Sequence, residues 1–278
     1  MKVTFCNKLR WYHDTIRPYW MNSFFVRRNK MKQEIEQFLL YTKNYISLGE
    51  NITRKINHTF RVIELCEKIA ISLNLSEEDI FVVKLCGLLH DIGRFEQWKK
   101  YQTFNDLKSI DHGDLGVEIL KKNNFIRKFN NKENLDDLIF KTIKNHNKYK
   151  IDENLNEKET LFCNIVKDAD KLDILYLYTI KCINIDIDND DFSTKIYNDL
   201  LNQKEISRKD NKTKADHLAV SLGFIFGLNF KESYKILKEN DYINKEIGIY
   251  VNKTKNEYLI EKLEKVRIIL NKYIEGRC

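Results

Sequence analysis

The chain has 278 residues, 42% hydrophobic and 32% charged, which is enough to bury a sizeable core and too long for a bare peptide or a stapled mini-domain. Its formal net charge is +7, but seven Lys/Arg against Asp14 alone put +6 of that in residues 1–30. Residues 31–278 therefore sum to about +1, which argues against a body built to coat nucleic acid. No apolar run approaches the ~18 residues of a membrane span, and no signal-peptide-like apolar stretch opens the chain. Six cysteines without C-x-x-C spacing favour a reducing, cytoplasmic setting over a disulfide framework.

One proline and nine glycines leave little punctuation, and apolar residues recur at i, i+3 and i+4 throughout, so the fold class read here is all-α. Residues 1–30 interleave Trp11, Tyr12, Tyr19, Trp20, Phe24 and Phe25 with basic residues. This is an arm that packs on the domain or on a second copy of the chain, or that meets an acidic surface or nucleic acid; alternatively, translation starts at Met31. The remaining chain, 31–278, reads as one helical domain, with its motifs between about 50 and 182 and structural cover over 183–278.

A first helix is predicted over about 31–47 and a second over 51–73, the latter with His58 and Arg61 beside the apolar stripe Ile56, Phe60, Ile63 and Cys66. The third starts at the N-cap Ser76, with Asp79 at N3, and runs through a nearly continuous apolar stretch to His90–Asp91, with Gly93 as a C-terminal break. A carboxylate at the end of so apolar a helix is costly to bury without a partner, and a cation would remove that cost. Residues 96–111 read as a loop with a short helix; His112 then opens a helix inside DHGDLG, and another helix over 135–146 ends at His146.

The helix predicted over 157–182 sets Asp168 in register with Leu161, Ile165, Leu172 and Leu175, on the core face, where a carboxylate needs a cation or strong donors. Residues 184–216 read as a polar excursion. Its DIDNDD stretch lacks the glycine of a calcium loop, since Asp191 holds that place and Tyr197 the twelfth. Two closing helices, over 214–239 and 243–275, read as cover, and His217 as a solvent-facing or capping residue.

Four of the six histidines thus lie on or at the ends of apolar helices, with His90–Asp91 adjacent and Asp168 on a core face. Imidazole and carboxylate donors of this kind suit Mn, Fe, Co, Ni or Zn. The order His … His-Asp … His … His … Asp, with HDIGR at 90–94 and DADKLD at 168–173, resembles the HD-domain metal-dependent phosphohydrolase superfamily over about residues 50–182. The resemblance implies an all-α bundle in which His58, His90, Asp91 and Asp168 form a primary metal site. It further implies that Asp91 bridges to a second ion held by His112 and His146, unless those two instead hydrogen-bond substrate or water. One or two divalent transition-metal ions would be the cofactor, and a small phosphorylated substrate, a nucleotide or another metabolite, the partner.

Nothing after His112 matches the GYP signature of cyclic-di-GMP phosphodiesterases. Arg94 stands where 5′-nucleotidase-like and guanosine-tetraphosphate-hydrolase relatives carry acidic groups. Arg94 and Lys171 are therefore read as phosphate-binding and catalytic cations beside Asp91, or else as ion-pair braces, and Arg61 as a brace. Two other readings share the same ligand order: an HD-fold di-iron oxygenase, and a non-catalytic nucleotide-sensing module.

Overall fold

The computed structural model describes residues 31–181, 186–187 and 190–278; the basic aromatic arm and Asp188–Asn189 of the acidic stretch lie outside them. The described residues form twelve α-helices joined by turns and short 3-10 segments, with no strand among them. In chain order these are α1 Lys32–Thr42, α2 Glu50–Ser72, α3 Glu77–Leu89, α4 Ile92–Tyr101, α5 His112–Lys121, α6 Asp136–Asn145 and α7 Glu157–Thr179. They are followed by α8 Thr194–Leu201, α9 Lys214–Gly223, α10 Lys231–Glu239, α11 Tyr242–Val251 and α12 Glu257–Glu275.

The starts of these helices follow from local chemistry. Ser76 caps α3 by accepting from the Asp79 backbone N–H at 3.1 Å, and Asp111 caps α5 by accepting from the backbone of Gly113 and Asp114. Asn156 and Glu159 form a reciprocal capping box on α7. α2, α3, α6 and α7 pack directly on one another; α4 and α5 lie against each other along one edge, and α1 covers the α3 side. Phe38 and Tyr41 of α1, and Tyr45 just after it, meet the buried Phe95 of α4 with ring centroids 5.8–6.0 Å apart, fixing the helix that begins just after Asp91.

Three expectations change. Gly93 does not end a helix: it lies in the first turn of α4 and lets that helix touch α5. A Cβ at this position would stand 2.3 Å from the His112 carbonyl oxygen and 2.8 Å from the Gly116 nitrogen. The 184–216 excursion contains α8, whose Ile196 and Leu200 enter the core. The two closing helices are four, because the first is broken over Phe224–Phe230 and the second over Asn252–Asn256.

Candidate metal centre

His58 lies mid-α2, His90–Asp91 fill the turn between α3 and α4, His112 opens α5, His146 follows the last residue of α6, and Asp170 lies in α7. All four imidazoles turn Nε2 inward. The two pairs are close: His58 and His90 Nε2 are 3.2 Å apart, and His112 and His146 Nε2 are 3.0 Å apart. Asp91 sits between the pairs, with Oδ2 3.4 Å from both His58 and His90 Nε2 and Oδ1 3.3 Å from His112 Nε2. Asp170 Oδ1 is 3.1 Å from His58 Nε2. Two overlapping trios, His58–His90–Asp170 and His90–Asp91–His146, each bring their donor atoms within 4.8 Å of one another.

The outward nitrogens are all engaged. His90 Nδ1 donates to the Gly87 carbonyl at 2.7 Å and His146 Nδ1 to the Ile143 carbonyl at 2.6 Å; a carbonyl only accepts, so these protons sit on Nδ1. His58 Nδ1 meets Asp173 Oδ2 at 2.6 Å, and His112 Nδ1 meets Asp106 Oδ2 at 2.7 Å. Arg61 holds Asp173 from the far side, its guanidinium reaching Oδ2 at 2.9 Å. Asp106 is held by Arg94 at 2.7 Å and Gln97 at 2.8 Å. Each imidazole is thus oriented by an acceptor behind it, the arrangement that fixes the tautomer of a metal-binding histidine.

The electrostatics agree. Burial, reinforced by His112 and His90, pushes His146 down to about 3. Burial and Arg94 lower His112 against the pull of Asp106 and Asp91. Both shifts favour the neutral imidazole, and the two Nε2 atoms face each other 3.0 Å apart. Two inward imidazole nitrogens this close are donor atoms that one cation could share. On the other side, burial and Lys55 act to lower His58, yet Asp170, Asp173 and Asp91 outweigh them and lift it to about 10. Those carboxylates demand positive charge at Nε2, which a proton or a cation supplies. Burial works to raise Asp91 and Asp170, but the surrounding cations and imidazoles hold both well below the usual carboxylate range.

The HD domain family matches residues 56–175. The chain carries an HD domain. The helical fold agrees with that match. A curated relative, Ribonuclease Y 1 of Pediococcus pentosaceus (strain ATCC 25745 / CCUG 21536 / LMG 10740 / 183-1w), is 34% identical over 94 residues, 34% of this chain and 15% of that protein. The chain thus spans well under two thirds of that relative's length. No solved structure matches it.

Within this HD domain five of the six expected ligands, His58, His90, Asp91, His112 and His146, come together, and Asp168 does not. Asp168 is fully buried, as its register with the leucines predicts, but its carboxylate faces the start of α10. It accepts from Asn229 N at 2.9 Å, Phe230 N at 3.2 Å and Ser233 Oγ at 2.7 Å. Its strong donors are a helix N-terminus rather than a cation, and Asp170 takes the place at the cluster. Asp170 and Asp173 are one helical turn apart, so both reach His58.

Lys171 is likewise turned away: its Nζ reaches Glu205 Oε1 at 2.6 Å and the Gly227 carbonyl at 3.1 Å. Arg94 is at the site, but its Nη1 is shared among Gln97, the Phe104 carbonyl and Asp106, and Nε lies 3.4 Å from Asp91 Oδ1. Through Nη1 it braces the loop that carries Asp106. His217 is exposed, as expected, and contacts Asn211. The sequence reading missed Lys55, whose Nζ lies 2.6 Å from Asp91 Oδ2; only its place one helical turn before His58 pointed to it.

Proposed function

We propose that this HD domain is a metal-dependent hydrolase that cleaves a phosphoester of a nucleotide or another small phosphorylated metabolite by metal-activated water. The observation that carries the reading is the pair of imidazole contacts on either side of Asp91, every Nδ1 being engaged by an acceptor. His58, His90 and Asp170 would hold one ion, His112 and His146 a second, and Asp91 would bridge them. Imidazole with carboxylate suits Mn, Fe, Co, Ni or Zn. Such ions bring the pKa of bound water toward ~7 and stabilise charge on phosphoryl oxygens.

The chain's own residues prepare that chemistry. Asp173 and Asp106 keep two imidazoles in the ligating tautomer, and Arg61 and Arg94 keep those carboxylates ionised and in place. Asp170 is the most accessible of the ligand set, with its side chain 19% exposed while the four histidines and Asp91 are at 3% or less, so substrate would approach on its side. No described helix is long and apolar enough to cross a membrane. Cys66, Cys86 and Cys163 are buried free thiols, which supports a cytoplasmic setting. We also read 31–278 as one domain, with the cover over 183–278.

The test is a screen of phosphomonoesters, cyclic and linear phosphodiesters and a short RNA, with the protein loaded in turn with Mn, Fe, Co, Ni and Zn. Turnover that is abolished by Asp170→Ala and retained in Asp168→Asn supports the reading. Stoichiometric metal with no phosphate or nucleoside released from any compound would overturn it, and oxygen uptake by iron-loaded protein would replace it with the oxygenase reading.

A further inference from the structure

Three of the cations near the HD motif are committed to protein partners. Arg61 is on Asp173, Arg94 is shared among Gln97, Asp106 and the Phe104 carbonyl, and Lys171 is on Glu205 and the Gly227 carbonyl. Lys55 differs. Its ammonium carries three N–H donors, one of which meets Asp91 Oδ2 at 2.6 Å. Its side chain is 20% exposed and that of Asp170 19%, so both reach solvent while the histidines and Asp91 are buried. Phe104, from the loop joining α4 to α5, places its ring 5.6 Å from Nζ.

We propose that Lys55 is the substrate-binding cation of this site, donating from Nζ to a non-bridging oxygen of the phosphoryl group while another N–H stays on Asp91. The proposal rests on the phosphohydrolase reading and moves the phosphate-binding role from Arg94 and Lys171 to a residue in α2. A compact ammonium suits it, because one donor is already anchored on Asp91 and two remain for a phosphoryl oxygen. The bond to Asp91 also fixes the height of the ammonium above the cluster, so the long, flexible side chain is ordered before substrate arrives.

The test uses the full chain loaded with Mn²⁺, as wild type, Lys55→Met and Lys55→Arg. Three quantities are read: Mn²⁺ affinity by titration calorimetry, inorganic phosphate binding to the Mn²⁺ form, and the kcat and KM of p-nitrophenyl phosphate or its bis-ester, whichever wild type turns over. Lys55→Met is expected to weaken phosphate binding and raise KM at least 10-fold, with Mn²⁺ affinity equal or tighter. Lys55→Arg should recover most of the loss.

If wild type binds phosphate and Lys55→Met binds it within twofold, Lys55 is only a counter-ion of Asp91 and the proposal falls alone. Loss of Mn²⁺ in Lys55→Met also overturns it, since the lysine would then be holding Asp91 in place. If wild type holds Mn²⁺ but neither binds phosphate nor cleaves either ester, the phosphohydrolase reading fails and takes the proposal with it.

Discussion

Gly93→Ala is the smallest change that reaches the metal centre through the backbone. The added methyl would stand 2.3 Å from the carbonyl oxygen of His112, whereas carbon–oxygen contacts settle near 3.3–3.6 Å, so α4 and α5 must part by about 1 Å. Overpacking of that size costs about 1–3 kcal/mol, or very roughly 2–12 °C in Tm for a chain of this length. The displaced oxygen belongs to a ligand residue, and metal–ligand distances tolerate only about 0.2 Å. Gly93→Ala should therefore lose the ion shared by His112 and His146 while keeping the one at His58, His90 and Asp170. Differential scanning calorimetry, with metal content by mass spectrometry after dialysis, measures both effects. A variant that melts within about 1 °C of wild type and holds the same number of ions would refute the close α4–α5 contact and the placement of His112 through it.

Asp168→Ala removes the acceptor for two backbone N–H groups and a serine hydroxyl at the start of α10. It should lower stability by about 1–3 kcal/mol in urea melts while leaving Mn²⁺ affinity intact, and Asp170→Ala should do the reverse. Asp173→Asn, which weakens the carboxylate behind His58, should reduce metal affinity about 10- to 100-fold by calorimetry. Lys171→Met should leave KM unchanged and cost about 1 kcal/mol through its ion pair with Glu205. Glu246 is fully buried with Ser221 as its hydrogen-bond donor; burial, against that bond, raises it from 4.5 to about 8. The folded state then holds a proton that the unfolded chain has lost, so stability is fully present below about pH 4.5 and declines as pH rises toward 8. Between pH 5.5 and 7.5 wild type should lose on the order of 2–3 kcal/mol relative to Glu246→Gln, at about 1.4 kcal/mol per unit; parallel urea-melt profiles for the two proteins would count against a buried neutral carboxyl.

The apolar periodicity and the Ser76 cap made the early helices readable, because those signals are local. His58, His90, Asp91, His112 and His146 were readable because each sits at a helix end or beside an apolar stripe. The choice between Asp168 and Asp170 was not. α7 is buried on nearly every side, with Phe162, Val166, Ala169 and Asp173 enclosed as fully as the Leu161-register face, so periodicity cannot say which enclosed carboxylate faces the histidines. Arg94 and Lys171 have the right chemistry for phosphate. What occupies them, Asp106 and Glu205, lies 12 and 34 residues along the chain, where no spacing rule reaches. Gly93 looked like punctuation because a close approach of two backbones leaves the same residue in the sequence as a turn does.

The bond from Asp168 to α10 spans more than sixty positions and leaves the stretch matched as an HD domain, residues 56–175, dependent on chain well beyond it. A fragment cut after α7 would strip those donors from the carboxylate and uncover the face of α7 on which α9, α10 and α11 pack, two residues from Asp170. The C-terminal third is accordingly a keystone rather than an ornament. Any transplant of residues 56–175 into another protein must carry the helices that pack on α7 with it.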